Sequence, residues 1–252
     1  MRSCICLLYL VLVVLPVDAA AAKDAPPTTP VTAVDADALY RAREQPASAL
    51  AAEKALAERL ALDPTDFEAA WKLARIRYWL GTNGPGNKDA RKRSLEAGLA
   101  AAKTAMAVRA DAVEGHFWLG ATMGALADSH GLRQGMRYRT PIREALEKAL
   151  AIDPAYLDGS PDRALGRFYL KVPGMFGGDL DKSEAHLRKA LTYNPRSVIS
   201  LMFLAETLLE RGRRDEARTT LQAALDAPID PDWAPEDTRF KAQIKTLLAR
   251  LK

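Results

Sequence analysis

Three stretches of the chain repeat one pattern: AAEKALAERLALDP at residues 51–64, IREALEKALAIDP at residues 142–154 and SEAHLRKALTYNP at residues 183–195. Each has apolar residues three and four positions apart, a spacing that places them on one face of an α-helix. Each then ends at a proline, which stops a helix. Residues 215–228 and 98–111 have the same form, although the second stretch lacks the proline. This repetition predicts a stack of similar amphipathic helices.

The segments between these stretches carry a leucine followed by a small residue. The pairs are Leu73-Ala74, Leu119-Gly120, Leu165-Gly166 and Leu204-Ala205. Small residues let two helices approach closely, and a repeated unit of helix A, turn and helix B with this feature is the tetratricopeptide (TPR) pattern. The sequence therefore predicts an all-α fold, a TPR α-solenoid of about four to five helical hairpins. Long loops are expected between the A and B helices, and the last seventeen residues up to Leu251 are expected to form a C-terminal capping helix.

The first nineteen residues have the form of a secretory signal peptide. Arg2 precedes the apolar run CICLLYLVLVVLP, and small residues follow, with Val17 and Ala19 fitting a cleavage site. The run is short for a membrane span, and an uncleaved signal anchor is the alternative interpretation. The predicted organisation is a signal peptide at 1–19, a flexible leader rich in Pro and Thr at 20–34, and a TPR domain at 35–252.

Both cysteines, Cys4 and Cys6, lie inside the signal segment. Neither stands at the cleavage site, where a lipoprotein anchor would require one. The mature chain is therefore predicted to have no disulfide, no thiolate metal site and no stable membrane span after cleavage. The expected location is periplasmic or secreted.

Several chemical functions are disfavoured by the sequence. The net charge of +4 is too small to indicate nucleic-acid binding. Residues 81–88, GTNGPGNK, resemble a phosphate loop, but the spacing to Lys88 is one residue too long and no Ser or Thr follows. His116, His130 and His186 lack metal-ligand spacing, and no catalytic grouping can be assembled. We therefore predict a protein that is not an enzyme and has no cofactor, no metal site and no nucleic-acid partner.

Three turns between A and B helices look stretched, at residues 81–93, 128–141 and 172–179. Insertions at equivalent points of stacked repeats project from one edge, so these loops are expected to cluster. Residues 88–93 carry a net charge of +3 and residues 131–143 carry +4. Arg133, Arg137 and Arg139 are therefore candidates for contact with an acidic partner surface or an anionic ligand. Solvated loop arginines are the alternative.

Aromatic residues recur on the predicted A helices. Most are expected to pack in the core, but A helices line the inner side of such solenoids, so Trp118, Phe168 and Tyr169 are candidates for a ligand cavity. The loop PGMFGGD follows Phe168 and Tyr169. Its glycines permit a turn that would carry Met175 and Phe176 inward as a hydrophobic flap. Such a flap would serve either as a structural plug or as a lid that contacts the ligand.

Three longer stretches carry a resemblance to a known family. EGHFWLGATMGALAD at 114–128, residues 142–191, and DTRFKAQIKTLLARL at 237–251 resemble the T component of TRAP transporters, a periplasmic TPR family. The most specific part is residues 156–179. Eukaryotic regulators of microtubule dynamics share the region around EGHFWLG and IREALEKALAIDP, so that region alone does not separate the two families. The signal peptide favours the bacterial envelope.

The resemblance implies a helper protein that contacts a periplasmic substrate-binding protein and offers a hydrophobic cavity, as a homo-oligomer. Members of the family are often lipoproteins, whereas this chain has no cysteine at its predicted cleavage site. The leading hypothesis is thus a non-catalytic periplasmic protein-interaction module with a protein partner and an apolar or anionic small ligand. The alternatives are a general envelope scaffold for cell-wall or outer-membrane assembly without a small ligand, and a protein that carries a ligand or lipid by itself.

Overall fold

The computed structural model describes residues 34–129 and 132–251, and the backbone alone at residues 132–134. The signal peptide predicted at 1–19 and nearly all of the predicted leader lie outside the described residues. The described part contains eleven α-helices, all in the unit that begins at Asp35. They are α1 (Ala36–Arg41), α2 (Pro46–Leu62), α3 (Phe67–Asn83), α4 (Lys88–Val108), α5 (Val113–Ser129), α6 (Leu132–Ile152), α7 (Tyr156–Lys171), α8 (Leu180–Tyr193), α9 (Val198–Glu210), α10 (Arg214–Asp226) and α11 (Ala234–Arg250).

The helices pack in consecutive pairs, which confirms the predicted repeat. Extensive contacts join α3 to α4, α5 to α6, α7 to α8, and α9 to α10, and α4 also packs closely against α5 of the next hairpin. These are four complete hairpins, with α3, α5, α7 and α9 as A helices and α4, α6, α8 and α10 as B helices. The short helix α1 with α2 makes a reduced first hairpin, and α11 follows the last one.

Small residues on the A helices receive a leucine from the paired B helix, as the sequence pattern predicts. A Cβ atom added at Gly120 of α5 would lie 2.7 Å from Cδ2 of Leu146 on α6. A Cβ atom added at Gly166 of α7 would lie 2.5 Å from Cγ of Leu187 on α8. Both leucines are fully buried. A larger residue at either glycine would therefore push the two helices of its hairpin apart.

The prediction of a loop at residues 81–93 is wrong for most of that segment. Residues 81–83 continue α3, only 84–87 are non-helical, and 88–93 begin α4. The side chain of Asn87 accepts a hydrogen bond from the backbone N–H of Ala90 at 2.9 Å, which caps α4. The segment KDARKR consists of residues that favour helix, and it follows a good capping residue, so it continues the hairpin as helix.

The loop predicted at residues 128–141 is also helical where the structure describes it. Residues 128 and 129 end α5, and α6 begins at Leu132 and continues through Pro141. The third predicted loop, 172–179, is confirmed, with one short 3-10 helix at Gly174–Phe176. Among the described residues, only the third predicted insertion is therefore a loop over its whole predicted length.

The loop PGMFGGD does not carry its apolar side chains inward. The backbone N–H groups of Phe176 and Gly178 both donate to the carbonyl of Pro173, at 2.8 and 3.2 Å. This tight turn leaves Met175 at its tip with 84% of its surface exposed, and Phe176 is half-buried. The prediction that Met175 belongs to an inward-facing hydrophobic flap is therefore wrong. The glycines serve the turn itself, because a Cβ atom at Gly178 would lie 1.7 Å from the carbonyl oxygen of Val172.

Buried side chains form two hydrophobic clusters along the stack. One extends from Ala36 on α1 to Tyr169 on α7, and the other extends from Leu187 on α8 to Leu251. Within residues 34–129 and 132–251, no helix combines the length and apolar character that crossing a membrane requires.

The close contact at Gly120 can be tested against Gly124 on the same helix. An added Cβ at Gly124 meets no atom within 4 Å, whereas one at Gly120 meets the buried Leu146. We expect Gly120→Ala to lower the free energy of unfolding by about 1–3 kcal/mol through overpacking. We expect Gly124→Ala to raise it by about 0.5–1 kcal/mol through helix propensity. Urea unfolding followed by circular dichroism measures both, and equal effects of the two substitutions would contradict the proposed packing.

Candidate functional site

A buried ion pair joins the beginning and the end of the helical stack. Arg43, just after α1, is 2% exposed. Its Nη2 atom lies 2.5 Å from Oε2 of Glu236 on α11, and its Nε lies 3.3 Å from the other carboxylate oxygen. Nη2 also donates to the backbone carbonyl of Asp232 at 2.9 Å. The guanidinium therefore holds α1 and α11 together, although 193 residues separate the ion-paired residues.

Aromatic rings enclose this arginine on the side of α1 and α3. The guanidinium carbon of Arg43 lies 4.4 Å from the ring centre of Tyr40 and 5.1 Å from that of Trp79. The indole Nε1 of Trp79 donates to the backbone carbonyl of Arg43 at 2.9 Å. Burial raises the pKa of Tyr40 to about 12, so its hydroxyl stays neutral beside the ion pair. The ion pair between Arg43 and Glu236 is thus enclosed by the packed rings of Tyr40 and Trp79.

A cavity of about 1180 Å³ lies between the A helices and α11. Helices α3, α5, α7 and α9 contribute to its wall, and so do the beginnings of α4 and α6. The last helix, α11, adds Glu236, Arg239, Phe240 and Gln243. Because the Arg43–Glu236 pair fixes the start of α11, this pair also fixes one wall of the cavity.

Packed aromatic rings form much of the apolar wall. The ring centres of Tyr78 and Trp118 are 5.6 Å apart, and those of Phe117 and Trp118 are 5.1 Å apart in an edge-to-face arrangement. The Nε1 atom of Trp118 donates to the hydroxyl of Tyr156 at 3.2 Å. On the opposite side, the rings of Phe203 on α9 and Phe240 on α11 meet at 5.8 Å. These contacts present rigid apolar surface to the cavity.

The polar part of the wall is strongly cationic. The cationic residues that line the cavity are Lys88, Arg91, Arg139, Arg163, Arg167, Lys171 and Arg239, and the acidic ones are Asp128 and Glu236. Glu236 is already paired with Arg43, whereas Arg167 is paired with Glu206. Lys88, Arg91 and Lys171 have no ion-pair partner within the described residues. An excess of positive charge therefore faces the cavity.

The structure brings together only part of the predicted site. Trp118 and Phe168 both line the cavity, and so does Arg139, whose Nη1 donates to the carbonyl of Phe176 at 2.7 Å. Tyr169 instead stacks on the ring of His186 at 5.6 Å, between α7 and α8. The expectation that Tyr169 faces the cavity is therefore wrong.

The remaining predicted site residues lie elsewhere. Arg137 is exposed near the start of α6 and lies against the ring of Tyr138, 5.6 Å from its centre. Met175 and Phe176 do not line the cavity. The side chain of Arg133 lies outside what the structure describes. Whether any of these residues contacts a partner protein stays a prediction.

Sequence reasoning missed Arg163, although it lies in the stretch that carries the family resemblance. The chain before it is unusual, because Leu157 (φ 46°), Asp158 (φ 58°) and Gly159 (φ 73°) are consecutive residues in the left-handed conformation. For the two residues other than glycine this costs about 1–2 kcal/mol each. The hydroxyl of Ser160 donates to the carbonyl of Leu157 at 2.6 Å. Such strain is typical of functional sites, where it fixes the position of a side chain.

Arg163 is 7% exposed and lies at the end of this strained turn. Its guanidinium donates to the hydroxyl of Ser160, and its Cζ atom lies 5.1 Å from the ring centre of Trp233. Burial lowers the pKa of Arg163 to about 10, so it remains positively charged at neutral pH. No carboxylate lies within 4 Å of it in the described chain.

Within the described residues, no group of three or more His, Cys, Asp or Glu side chains is arranged to hold a metal ion. The chemistry that the residues of the cavity offer is binding, with an apolar aromatic surface beside several guanidinium and ammonium groups.

Solved structures with similar folds are TPR proteins or contain helical stacks of this kind. A thermophilic TPR protein of Thermus thermophilus is 25% identical, with a TM-score of 0.64 over 85% of this chain and 95% of that chain. PilF of Pseudomonas aeruginosa is 17% identical, with a TM-score of 0.53 over 86% of this chain and 91% of that chain. MamA of Desulfovibrio magneticus is 16% identical, with a TM-score of 0.50 over 77% of this chain and 96% of that chain. None of the curated proteins matches the chain in sequence.

Two family models match the chain. A tetratricopeptide repeat model matches residues 177–251, which confirms the TPR superfamily and the kind of fold that serves in protein–protein interaction. The model described as Regulator of microtubule dynamics protein 1-3 matches residues 33–175. Since that match spans more than half of the 252 residues, the chain belongs to the Regulator of microtubule dynamics protein 1-3 family.

Proposed function

We propose that this protein is a non-catalytic interaction module of the bacterial envelope that holds an amphipathic anion in its cavity. The observation that carries the proposal is the wall of the cavity, where packed aromatic rings stand beside cations that outnumber acids. The apolar part of such a ligand would bury its surface against the aromatic rings, as ligands do in concave apolar sites. An anionic group would be attracted by the excess positive charge.

The volume of the cavity suits a ligand with a substantial apolar part. About 1180 Å³ exceeds what a single small ion or metabolite fills. Trp118 and Phe168 supply apolar surface, and Lys171 and Arg91 supply charges that have no acidic partner within the described residues. Both residues are exposed, so their charges attract an anion through solvent as it approaches the cavity.

For the partner, we propose a periplasmic substrate-binding protein of the TRAP type. Two sequence features support this proposal, the predicted signal peptide and the resemblance of residues 156–179 to the T component. The TPR fold supports a protein partner of some kind, since stacked hairpins present extended binding surfaces. A general envelope scaffold without a small ligand is the alternative that the same fold would allow.

A second candidate follows from the family match. The family name describes regulators of microtubule dynamics, and residues 33–175 match its model. Under this candidate the chain binds microtubules through its helical stack, and residues 1–19 act as a signal anchor or are not used for export. Co-sedimentation of the purified chain with assembled microtubules tests this candidate directly.

Export and partnership can be tested together in a bacterial host. When the full-length sequence is expressed, we expect a protein shortened by cleavage after Ala19 to be recovered from the periplasm, because residues 1–19 have the form of a signal peptide. Affinity capture from that fraction is expected to recover a substrate-binding protein. Recovery of cell-wall enzymes alone would contradict the TRAP partnership, and an uncleaved cytoplasmic chain would contradict the envelope location.

The charge of the cavity can be tested with decanoate as the probe and decyltrimethylammonium as its cationic counterpart. We expect decanoate to bind more tightly in isothermal titration calorimetry. Arg91→Glu and Lys171→Glu are each expected to weaken decanoate binding by about tenfold, which corresponds to about 1.4 kcal/mol. Lys103→Glu is the matched control, because Lys103 is exposed on α4, the helix that carries Arg91, and does not line the cavity. Equal weakening by Lys103→Glu, or equal affinity for the two probes, would contradict an anion-selective cavity.

A further inference from the structure

A second, smaller cavity of about 250 Å³ lies beside the large one. It is bounded by the strained turn before α7, the beginning of α9 and the segment that leads into α11. Its lining includes Asp158, Arg163, Asn194, Ser197, Trp233 and Asp237. Arg163 and Trp233 are shared with the large cavity, whereas Asp237 lines the small one only.

The small cavity contains a buried cation that forms no ion pair, although the charges of Asp158 and Asp237 act on it from a greater distance. Arg163 is 7% exposed, and its contacts are the hydroxyl of Ser160 and the ring of Trp233. Its donors are only partly used by these contacts, since a guanidinium has five N–H groups. The cavity also lies at the N-terminal end of α9, where Ser197 caps the helix by accepting from the N–H of Ser200. The positive end of the helix dipole adds to the attraction for an anion at this side.

The same cavity contains a buried anion that forms no ion pair, although the charge of Lys241 acts on it from a greater distance. Asp237 is 3% exposed, and the contact of its carboxylate is the backbone N–H of Asp230 at 3.1 Å. Within the described residues, no Lys, Arg or His nitrogen lies within 4 Å of it. Removal from water raises the pKa of Asp237. Asp158, Arg196 and Asp230 also line the cavity, so its wall carries three acidic and two basic side chains in all.

Two buried side chains of opposite charge therefore face one cavity without being paired with each other. Buried charges are normally paired, because an unpaired charge loses its hydration and gains nothing in return. Here the strained conformation of Leu157 and Asp158 holds Arg163 in place at an additional cost. A ligand that carries both missing counter-charges would account for all of these features.

We propose that the small cavity binds a small zwitterion, with the ligand's carboxylate at Arg163 and its ammonium group at Asp237. A cavity of about 250 Å³ limits the ligand to the size of an amino acid or a compound of similar size. This site goes beyond the proposed function of the large cavity and does not depend on it.

The site is tested by titrating the purified chain with zwitterions of increasing length: glycine, 4-aminobutyrate and 6-aminohexanoate. Butyrate and butylamine serve as controls that carry one charge each. Isothermal titration calorimetry is expected to show at least one zwitterion binding with a Kd about tenfold or more below that of either control. Failure of every zwitterion to bind, or binding of butyrate as tight as that of the best zwitterion, overturns the proposal.

Substitutions then test whether Asp237 and Arg163 are the residues that bind the two charged groups of the ligand. Asp237→Asn keeps an acceptor for the N–H of Asp230 and is expected to abolish zwitterion binding while the thermal unfolding temperature stays equal or rises. Arg163→Gln is expected to abolish binding as well, and Asp226→Asn, an exposed change on α10, is the matched control. Asp237→Asn should leave decanoate affinity unchanged, since Asp237 does not line the large cavity. Full zwitterion affinity in folded Asp237→Asn overturns the assignment, whatever the result for decanoate.

Discussion

The buried pair of Arg43 and Glu236 is the contact on which the candidate site depends. Breaking a buried ion pair on one side is strongly destabilising, by about 3–5 kcal/mol, because the other charge is left without compensation. The guanidinium uses its several donors on the Glu236 carboxylate and on backbone carbonyls of Tyr40 and Asp232. These contacts fix α11 against α1. The inner face of the A helices is thereby closed into a cavity by a helix that follows the last hairpin.

The charges on α11 serve two different purposes. Glu236 is neutralised by Arg43 and holds the helix, whereas Asp237, the next residue, is buried and forms no ion pair in the described structure. Arg163 on α7 has the complementary property, because it is a buried cation that forms no ion pair among the described residues. A fold that only maximised its own stability would pair or replace such groups. Their retention fits a binding site, where stability is given up for affinity.

The repeat pattern was sufficient to predict the hairpins, because the leucine and small-residue pairs report local packing between adjacent helices. The prediction of a loop over 81–93 fails because its glycines affect only the residues before Asn87, whereas the residues after Asn87 favour helix. The apolar character of Met175 predicts burial, but the turn that closes on the carbonyl of Pro173 leaves Met175 exposed at its tip. The pairing of Arg43 with Glu236 had no local signal at all. It depends on how the hairpins curve over the whole stack, which periodicity does not report.

The most direct test of this account is the distance between α1 and α11. Both cysteines of the chain lie in the predicted signal segment, so cysteines introduced at the exposed positions Arg41 and Lys245 of the mature chain would be labelled uniquely with spin labels. Double electron–electron resonance should give one narrow distance distribution in the otherwise unchanged protein. It should become broad and longer in Glu236→Ala, because the cavity loses the contact that closes it. A narrow distribution that persists in Glu236→Ala would contradict the central role of this ion pair.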